Sequence, residues 1–361
     1  GHMIKIYQKY LVKLFCQKIL LISVIFLFLT LILSIFEEIN FFKDMNVKFY
    51  IPLLLTVLNA PSVIFDIFPF IYLIATQLFF IHLINKEELE LLKINGLSNF
   101  KILKLTFFTS VFLGILTVAI FYSFSAKMKF FYLELKNDYS NDNKYLASVS
   151  NNGLWIKDEI NDKILIINAA VIKNNNLLDI EITQFNKNFE LEKVISSAEA
   201  NIKDNQWIIK KPIISQNNQN IILKQNMILN THFNIKKIKT LFDNLTSLNI
   251  MELYKLKKDK RALGYTADNV VIHLYKIFTY PIFLAFMSAL SGILMLNITR
   301  KKPLIFHIIS GIFLSVLIYY FIFIFSVLGE NGKLPLFLSA SFPLIIIMFF
   351  LIFGLVRINE K

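Results

Sequence analysis

Leu336-Phe337-Leu338-Ser339-Ala340-Ser341-Phe342-Pro343-Leu344-Ile345-Ile346-Ile347-Met348-Phe349-Phe350-Leu351-Ile352-Phe353-Gly354-Leu355-Val356 runs without a charged side chain. A helix of about 20 such residues crosses the roughly 30 Å hydrocarbon core of a bilayer, where each backbone N–H and C=O must be bonded within the segment. Five further blocks pass the same test: Ile19–Phe36, Ile67–Ile84, Leu105–Phe124, Ile277–Leu296 and Leu304–Leu328. The run Ile51–Leu58 is too short to span and is bracketed by Pro52 and Pro61. It is expected as an interfacial or re-entrant piece leading into the second span.

Composition agrees with this reading. The chain is 56% hydrophobic and 17% charged, and its 37 phenylalanines exceed what a soluble domain of this length buries. The net charge is +13, but the basic residues flank apolar blocks instead of forming one patch with interleaved aromatics, so nucleic acid is not expected as a partner. Cys16 is the single cysteine, which excludes a disulfide framework and a cysteine-based metal site. Gly1 and His2, ahead of Met3, are set aside as a tag remnant. The first apolar block is too long for a signal peptide and lacks a small-residue cleavage site, so none is expected.

Lysine and arginine in the short loops set the orientation. Lys5, Lys9, Lys13 and Lys18 precede span one; Lys86, Lys93, Lys101 and Lys104 lie between spans two and three. Arg300, Lys301 and Lys302 follow span four, and Arg357 and Lys361 close the chain. Six spans put all four groups on one side, with both termini in the cytoplasm. Lys255, Lys257, Lys258, Lys260 and Arg261 run against the pattern on the expected outer side, where the rule is weak for a long translocated domain.

Residues 127–268 change to Asn, Lys, Asp, Ile and Leu. Alternating runs predict strands at Gly153–Lys157, Ile164–Ala169, Leu178–Phe185, Phe189–Ile195, Trp207–Lys211 and Ile221–Asn226, with turns near Asn174–Asn176, Asn186–Asn188 and Asn217–Asn220. A helical stretch, Asn249–Leu263, follows. The fold expected is an α-helical membrane protein of six transmembrane helices, three in residues 3–126 and three in 269–361. An all-β sandwich or open barrel-like roll is inserted between them.

Catalytic signatures are missing: there is no P-loop, no H-E-x-x-H and no G-x-S-x-G, and His2, His82, His232, His273 and His307 are scattered. No cofactor is expected and the chain is not expected to be an enzyme. The polar candidates within spans are Gln77, His82 and His307, so the spans suit a hydrophobic cargo better than an ion. The loop Asn85–Ser98 is amphipathic: Leu89, Leu92 and Leu97 can share a face, with Glu87, Glu88, Glu90 and Lys93 around it. Asn85 could cap its start and Gly96 stop it. It reads either as a docking knob for a cytoplasmic partner or as a plain connecting helix.

The stretch Glu87-Glu88-Leu89-Glu90-Leu91-Leu92-Lys93-Ile94-Asn95-Gly96-Leu97-Ser98 resembles the cytoplasmic motif of lipopolysaccharide export permeases of the LptF/LptG family, with Glu87 standing where that motif has serine. Asn152-Gly153-Leu154-Trp155-Ile156-Lys157-Asp158 resembles the first strand region of the inserted domain of the LptG branch. Lys276-Ile277-Phe278-Thr279-Tyr280-Pro281-Ile282 resembles the entry to span four, and Leu334-Pro335 with Ala340-Ser341-Phe342-Pro343 resembles the start of the last span. The order and spacing of these motifs cover essentially the whole chain.

The resemblance implies a non-catalytic permease subunit of a Gram-negative inner membrane, nearer LptG than LptF. It implies an LptF-like partner permease, an LptB-like ATPase dimer, an LptC-like single-span protein, and lipopolysaccharide as cargo. The inserted domain would be a periplasmic β-jellyroll continuing the export path. Glu87, Glu88, Leu89, Leu92, Lys93 and Gly96 would couple to the ATPase. Lys43, Lys48, Lys127, Lys129 and Lys136 are candidates for lipid phosphate, each of which could equally be a snorkelling anchor. Better-known members carry a lysine near the outer end of span one, where this chain reads Phe36-Glu37-Glu38. That acidic pair raises the alternative of a divalent cation bridging to phosphate. A lipoprotein-releasing-type permease would have four spans, and a membrane-anchored sensor would need no docking helix.

Overall fold

The computed structural model describes residues 6–43, 45, 47–139, 154–160, 163–173, 175–216, 219–235, 238, 244–262, 266–297 and 303–359. Of residues named above, 1–5, Asn152, Gly153, Asn174, Asn217, Leu263, Arg300, Lys301, Lys302 and Lys361 lie outside the described residues. The chain divides into two compact units, Gly1–Lys129 with Asp268–Lys361, and Phe130–Ala267.

The first unit is helical. It contains α1 (Ile6–Phe41), α2 (Tyr50–Asn85), the short α3 (Glu88–Ile94) and α4 (Asn99–Leu116). A π-helical segment, Thr117–Tyr122, joins α4 to α5 (Ser123–Tyr139), of which the residues up to Lys129 belong to this unit and the rest to the second. After the insert come α7 (Asp268–Asn297), α8 (Leu304–Glu330) and α9 (Leu336–Asn359); α6 belongs to the insert and is given below. Six of these rods are long and apolar enough to cross a membrane. Burial ranks them: 61% of the apolar window of α2 and 56% of that of α7 is buried, against 17–22% in the other four. Helices α2 and α7 are therefore the core, against which α1, α4, α8 and α9 pack, and the outer four present Phe, Leu and Ile outward.

The break expected at Ile51–Leu58 does not occur; that run belongs to α2, whose 36 residues measure about 54 Å. Pro52 lies in the first turn, where a missing N–H costs nothing. Pro61 and Pro69 are carried inside the helix. Pro69 cannot donate to the carbonyl of Phe65, four residues back, and the Tyr280 hydroxyl of α7 donates to that carbonyl instead. The Phe65 and Tyr280 rings stack with centroids 4.3 Å apart. One turn before the π segment, Gly114 lets α4 close on α7: a Cβ there would lie 2.7 Å from Pro281 Cα.

The second unit carries β1 (Leu154–Ile160), β2 (Lys163–Lys173), β3 (Asn176–Phe185), β4 (Leu191–Asn201), β5 (Gln206–Ile209), β6 (Ile213–Gln216), β7 (Gln219–Ile222) and β8 (Met227–Asn230). All pairings are antiparallel, in the order β1-β2-β3-β4-β5-β8. The free edge of β4 forks: Ala200 and Asn201 pair with β5, while Val194, Ile195 and Ser196 pair with β6, which carries β7. Period-2 alternation turns Leu154, Ile156, Ile167, Ile182, Ile195, Trp207 and Ile209 inward, and they form the core of this half-barrel. Trp207 Nε1 donates to Phe233 O at 2.9 Å.

The sheet's two terminal strands are tied together. Asp158, at the end of the quoted β1 motif, is 4% exposed and accepts from His232 N (3.0 Å), His232 Nδ1 (2.8 Å) and Glu159 N (2.9 Å). His232 follows β8, so one carboxylate latches the β8 end to β1. The expected strands are present with shifted ends, and β6 and β8 are additional. Phe189, expected as a strand start, sits in the turn at φ +60°.

Helix α6 (Ile250–Ala262) ends the insert. Asn249 Oδ1 accepts from Glu252 N at 2.9 Å and Glu252 Oε2 accepts from Asn249 N at 2.8 Å, a reciprocal capping box.

Candidate functional site

Helix α3 is built by its two ends. Glu87, with φ +58°, makes a left-handed turn after α2 ends at Asn85, so Asn85 does not cap α3 and two residues separate the helices. At the other end Gly96 takes φ +82°. Gly96 N donates to Lys93 O (2.9 Å) and Leu97 N to Leu92 O (3.0 Å), the double bond of a Schellman stop. A Cβ at Gly96 would meet nothing within 4 Å, so backbone geometry alone requires the glycine. Ser98 then caps α4, its Oγ accepting from Lys101 N at 3.3 Å.

Leu89, Leu92 and Leu97 share one face of this segment, as their spacing suggested. Leu89 and Leu97 are buried at 7% and 9%, and Leu92 is half-buried, so this stripe faces the protein. The apolar side chains left outside are Leu91 (57% exposed) and Ile94 (81%), flanked by exposed Glu90 and Lys93. Glu88 accepts a hydrogen bond from Tyr10 of α1, 2.6 Å away. Thus α3 is fused to α2 through a two-residue turn and fastened to α1 by a side chain.

The five lysine candidates divide. Lys43 and Lys48, between α1 and α2, and Lys127 on α5 are exposed. Lys129 donates to Asn59 Oδ1 on α2 at 2.6 Å, and the buried Lys136 donates to Tyr132 Oη at 2.8 Å with its Nζ 5.1 Å from that ring. Glu37 is exposed and Glu38 is 1% exposed, so the adjacent acids face different environments and do not form a shared carboxylate pair. Among the described residues no three of His, Cys, Asp and Glu gather as a metal site.

Sequence reasoning missed Asp66. It continues the stripe Asn59-Ser62-Asp66 along α2 and lies within electrostatic reach of Lys129 and Lys276, while Lys276 also senses Glu330 of α8. Tyr122, the last π-helical residue, packs its ring against that of Phe65 (centroids 5.2 Å) and meets His273 Nε2 at 3.2 Å. Charges from α2, α5, α7 and α8 therefore share one zone of the helical unit. The available signal was a lone acid one residue ahead of an expected span.

Between α2 and α8, Gln77 Nε2 donates to His307 O at 2.6 Å, which joins two of the three polar candidates; His82 stands apart from this pair, half-buried near the end of α2. The arrangement provides outward apolar faces and a short helix held between α2 and α1.

The described residues thus define a polytopic membrane protein with three long apolar helices before and three after an inserted antiparallel half-barrel. The family model for the lipopolysaccharide export system permease LptF/LptG matches residues 9–357. The chain belongs to that family, and is accordingly an inner-membrane permease subunit of the lipopolysaccharide export system. Membership implies a complex with a partner permease and an ATPase. No curated protein matches the chain.

Proposed function

We propose that this chain is the LptG-type half of the permease pair, extracting lipopolysaccharide from the outer leaflet and passing it to a periplasmic bridge. Its termini and α3 would face the cytoplasm, and the β unit the periplasm. Partners would be an LptF-like permease, two LptB-like ATPase copies and an LptC-like single-span protein. Outward Phe and Leu on the loosely packed spans suit acyl chains, whose transfer from water is worth about 0.8 kcal/mol per CH₂.

The observation that carries the reading is α3 itself. Leu91 and Ile94 form a small apolar knob on a seven-residue helix that cannot move without α2 and, through Glu88 and Tyr10, α1. A cytoplasmic ATPase closing on that knob would tilt both spans together. Burying one such side chain is worth about 1.5–3 kcal/mol. The double change Leu91→Asp/Ile94→Asp, at about 3 kcal/mol or more for the pair, should therefore weaken ATPase binding by at least about a hundredfold, while Leu92→Asp should act more weakly. Glu88→Lys should leave the ATPase bound and hydrolysing but lower transport in reconstituted vesicles. An intact complex with full hydrolysis and transport in all three variants would refute the coupling role.

A further inference from the structure

Helix α6 holds five basic residues against two acidic ones, and the capping box commits Glu252 to the helix's own N-terminus. Leu253 and Leu256 are fully buried, and Lys257 and Lys260 are half-buried beside them. Burial holds the Lys260 ammonium below the usual lysine value, as expected for a cation on the inner side.

The opposite stripe, at three- and four-residue spacing, reads Met251, Tyr254, Lys255, Lys258 and Arg261. Met251 is 80% exposed and Tyr254 48%, and all three cations are exposed. A thioether and a phenol at one end of a face and three cations along the rest suit a bilayer interface. Apolar groups enter the boundary of the acyl chains there, and cations meet phosphates.

Connectivity supplies the second argument. Only residues 263–267 separate α6 from Asp268, the first residue of a spanning helix. Six extended Cα steps cover at most about 22 Å, and Asp268 lies about 14 Å along its helix from the apolar block that opens at Ile277, so the C-terminal end of α6 is tethered within about 36 Å of that block however the two units are arranged.

We propose that α6 is a headgroup-binding helix that docks on the outer leaflet through the phosphates of anionic phospholipid. Lys255, Lys258 and Arg261 contact the phosphates, and Met251 and Tyr254 enter the interface. The assignment rests on the periplasmic placement of the β unit proposed above. Docking would fix the insert's end of α7 at the leaflet from which cargo enters.

The test uses the full chain in nanodiscs, with p-benzoylphenylalanine in place of Tyr254. Irradiation should give phospholipid adducts in phosphatidylcholine discs containing phosphatidylglycerol. Their yield should fall at least about tenfold in phosphatidylcholine alone, and equally in the Lys255→Gln/Lys258→Gln/Arg261→Gln variant, since each cation near an anionic surface contributes several-fold. Hydrogen exchange across 250–262 verifies that the variant helix remains formed. Equal yield in neutral discs, adducts only to protein, or adducts only when lipopolysaccharide replaces phosphatidylglycerol would each overturn leaflet docking. Asn188→Cys in a Cys16→Ser background, labelled with an impermeant maleimide on spheroplasts, reads the orientation independently. Labelling without lipid adducts overturns this inference alone, and no labelling overturns the periplasmic placement beneath it.

Discussion

Removing the Asp158 carboxylate should release the β8 end of the sheet while sparing β2 and β3. In Asp158→Ala, His232 N and Nδ1 and Glu159 N lose their shared acceptor. Hydrogen bonds to a charged group contribute about 1.5–3 kcal/mol each. The His232 ring is largely exposed and regains water, so its share is small. The Glu159 bond is local and does not hold two strands together. What remains is the backbone bond of His232 and part of the ring bond, about 2–4 kcal/mol for opening the arm. Asp158→Asn keeps one acceptor oxygen and should lose about half of that. Hydrogen exchange on the full chain in detergent reads the effect directly. Protection of Met227–His232 should fall by about 30-fold to 1,000-fold in the alanine variant, as RT ln of the ratio requires. Amides of Ile166–Ile167 and Ile180–Ile182, in ladders of their own, should change less than about threefold. Unchanged protection at β8, or an equal fall in all strands, would refute the latch.

Two further outcomes test the packing of the spans. Tyr280→Phe keeps the ring stacked on Phe65 but leaves that carbonyl with neither Pro69 nor a hydroxyl, and should cost about 1–3 kcal/mol, read as a lower thermal midpoint in detergent. An unchanged midpoint would show that the carbonyl finds another donor. Gly114→Leu must displace the backbone at Pro281 and should destabilise by about 1–3 kcal/mol or more, with Gly114→Ala between it and the native chain. Equal midpoints for the three proteins would refute the close approach.

The spans were legible because bilayer crossing is a length-and-composition problem, which a sequence states directly. The start of α2 was not, because Pro52 and Pro61 read as breakers until the helix is seen. Pro52 is harmless in a first turn, and the Phe65 carbonyl orphaned by Pro69 is served from 215 residues away in sequence, by Tyr280. Strands β6 and β8 escaped for a different reason. Each is four residues long, and the exposed Ile213 and Ile228 hide the alternation that marks a half-buried strand. In α3 the stop at Gly96 was readable from residue type, whereas the outward face was not. Seven residues define no periodicity, and the left-handed reversal folds Leu97 back beneath the helix. Asp66 was overlooked because its companions come from three other helices.

The fork in β4 divides the inserted unit into parts with unequal freedom to evolve. The β5–β8 arm carries Trp207 and is bolted to β1 through Asp158, so a change in its length would misplace a core side chain and a latch together. The β6–β7 hairpin hangs from three residue pairs, and all four residues of β7 are exposed. Insertions and deletions between Gln216 and Gln219 should therefore pass with little effect on folding, while a single residue added within β5 or β8 should not, because it would shift the register of Trp207 against Leu229. Sequence drift in relatives of this permease is expected to collect in that hairpin, as growth rings collect at the rim of a trunk and not at its heart.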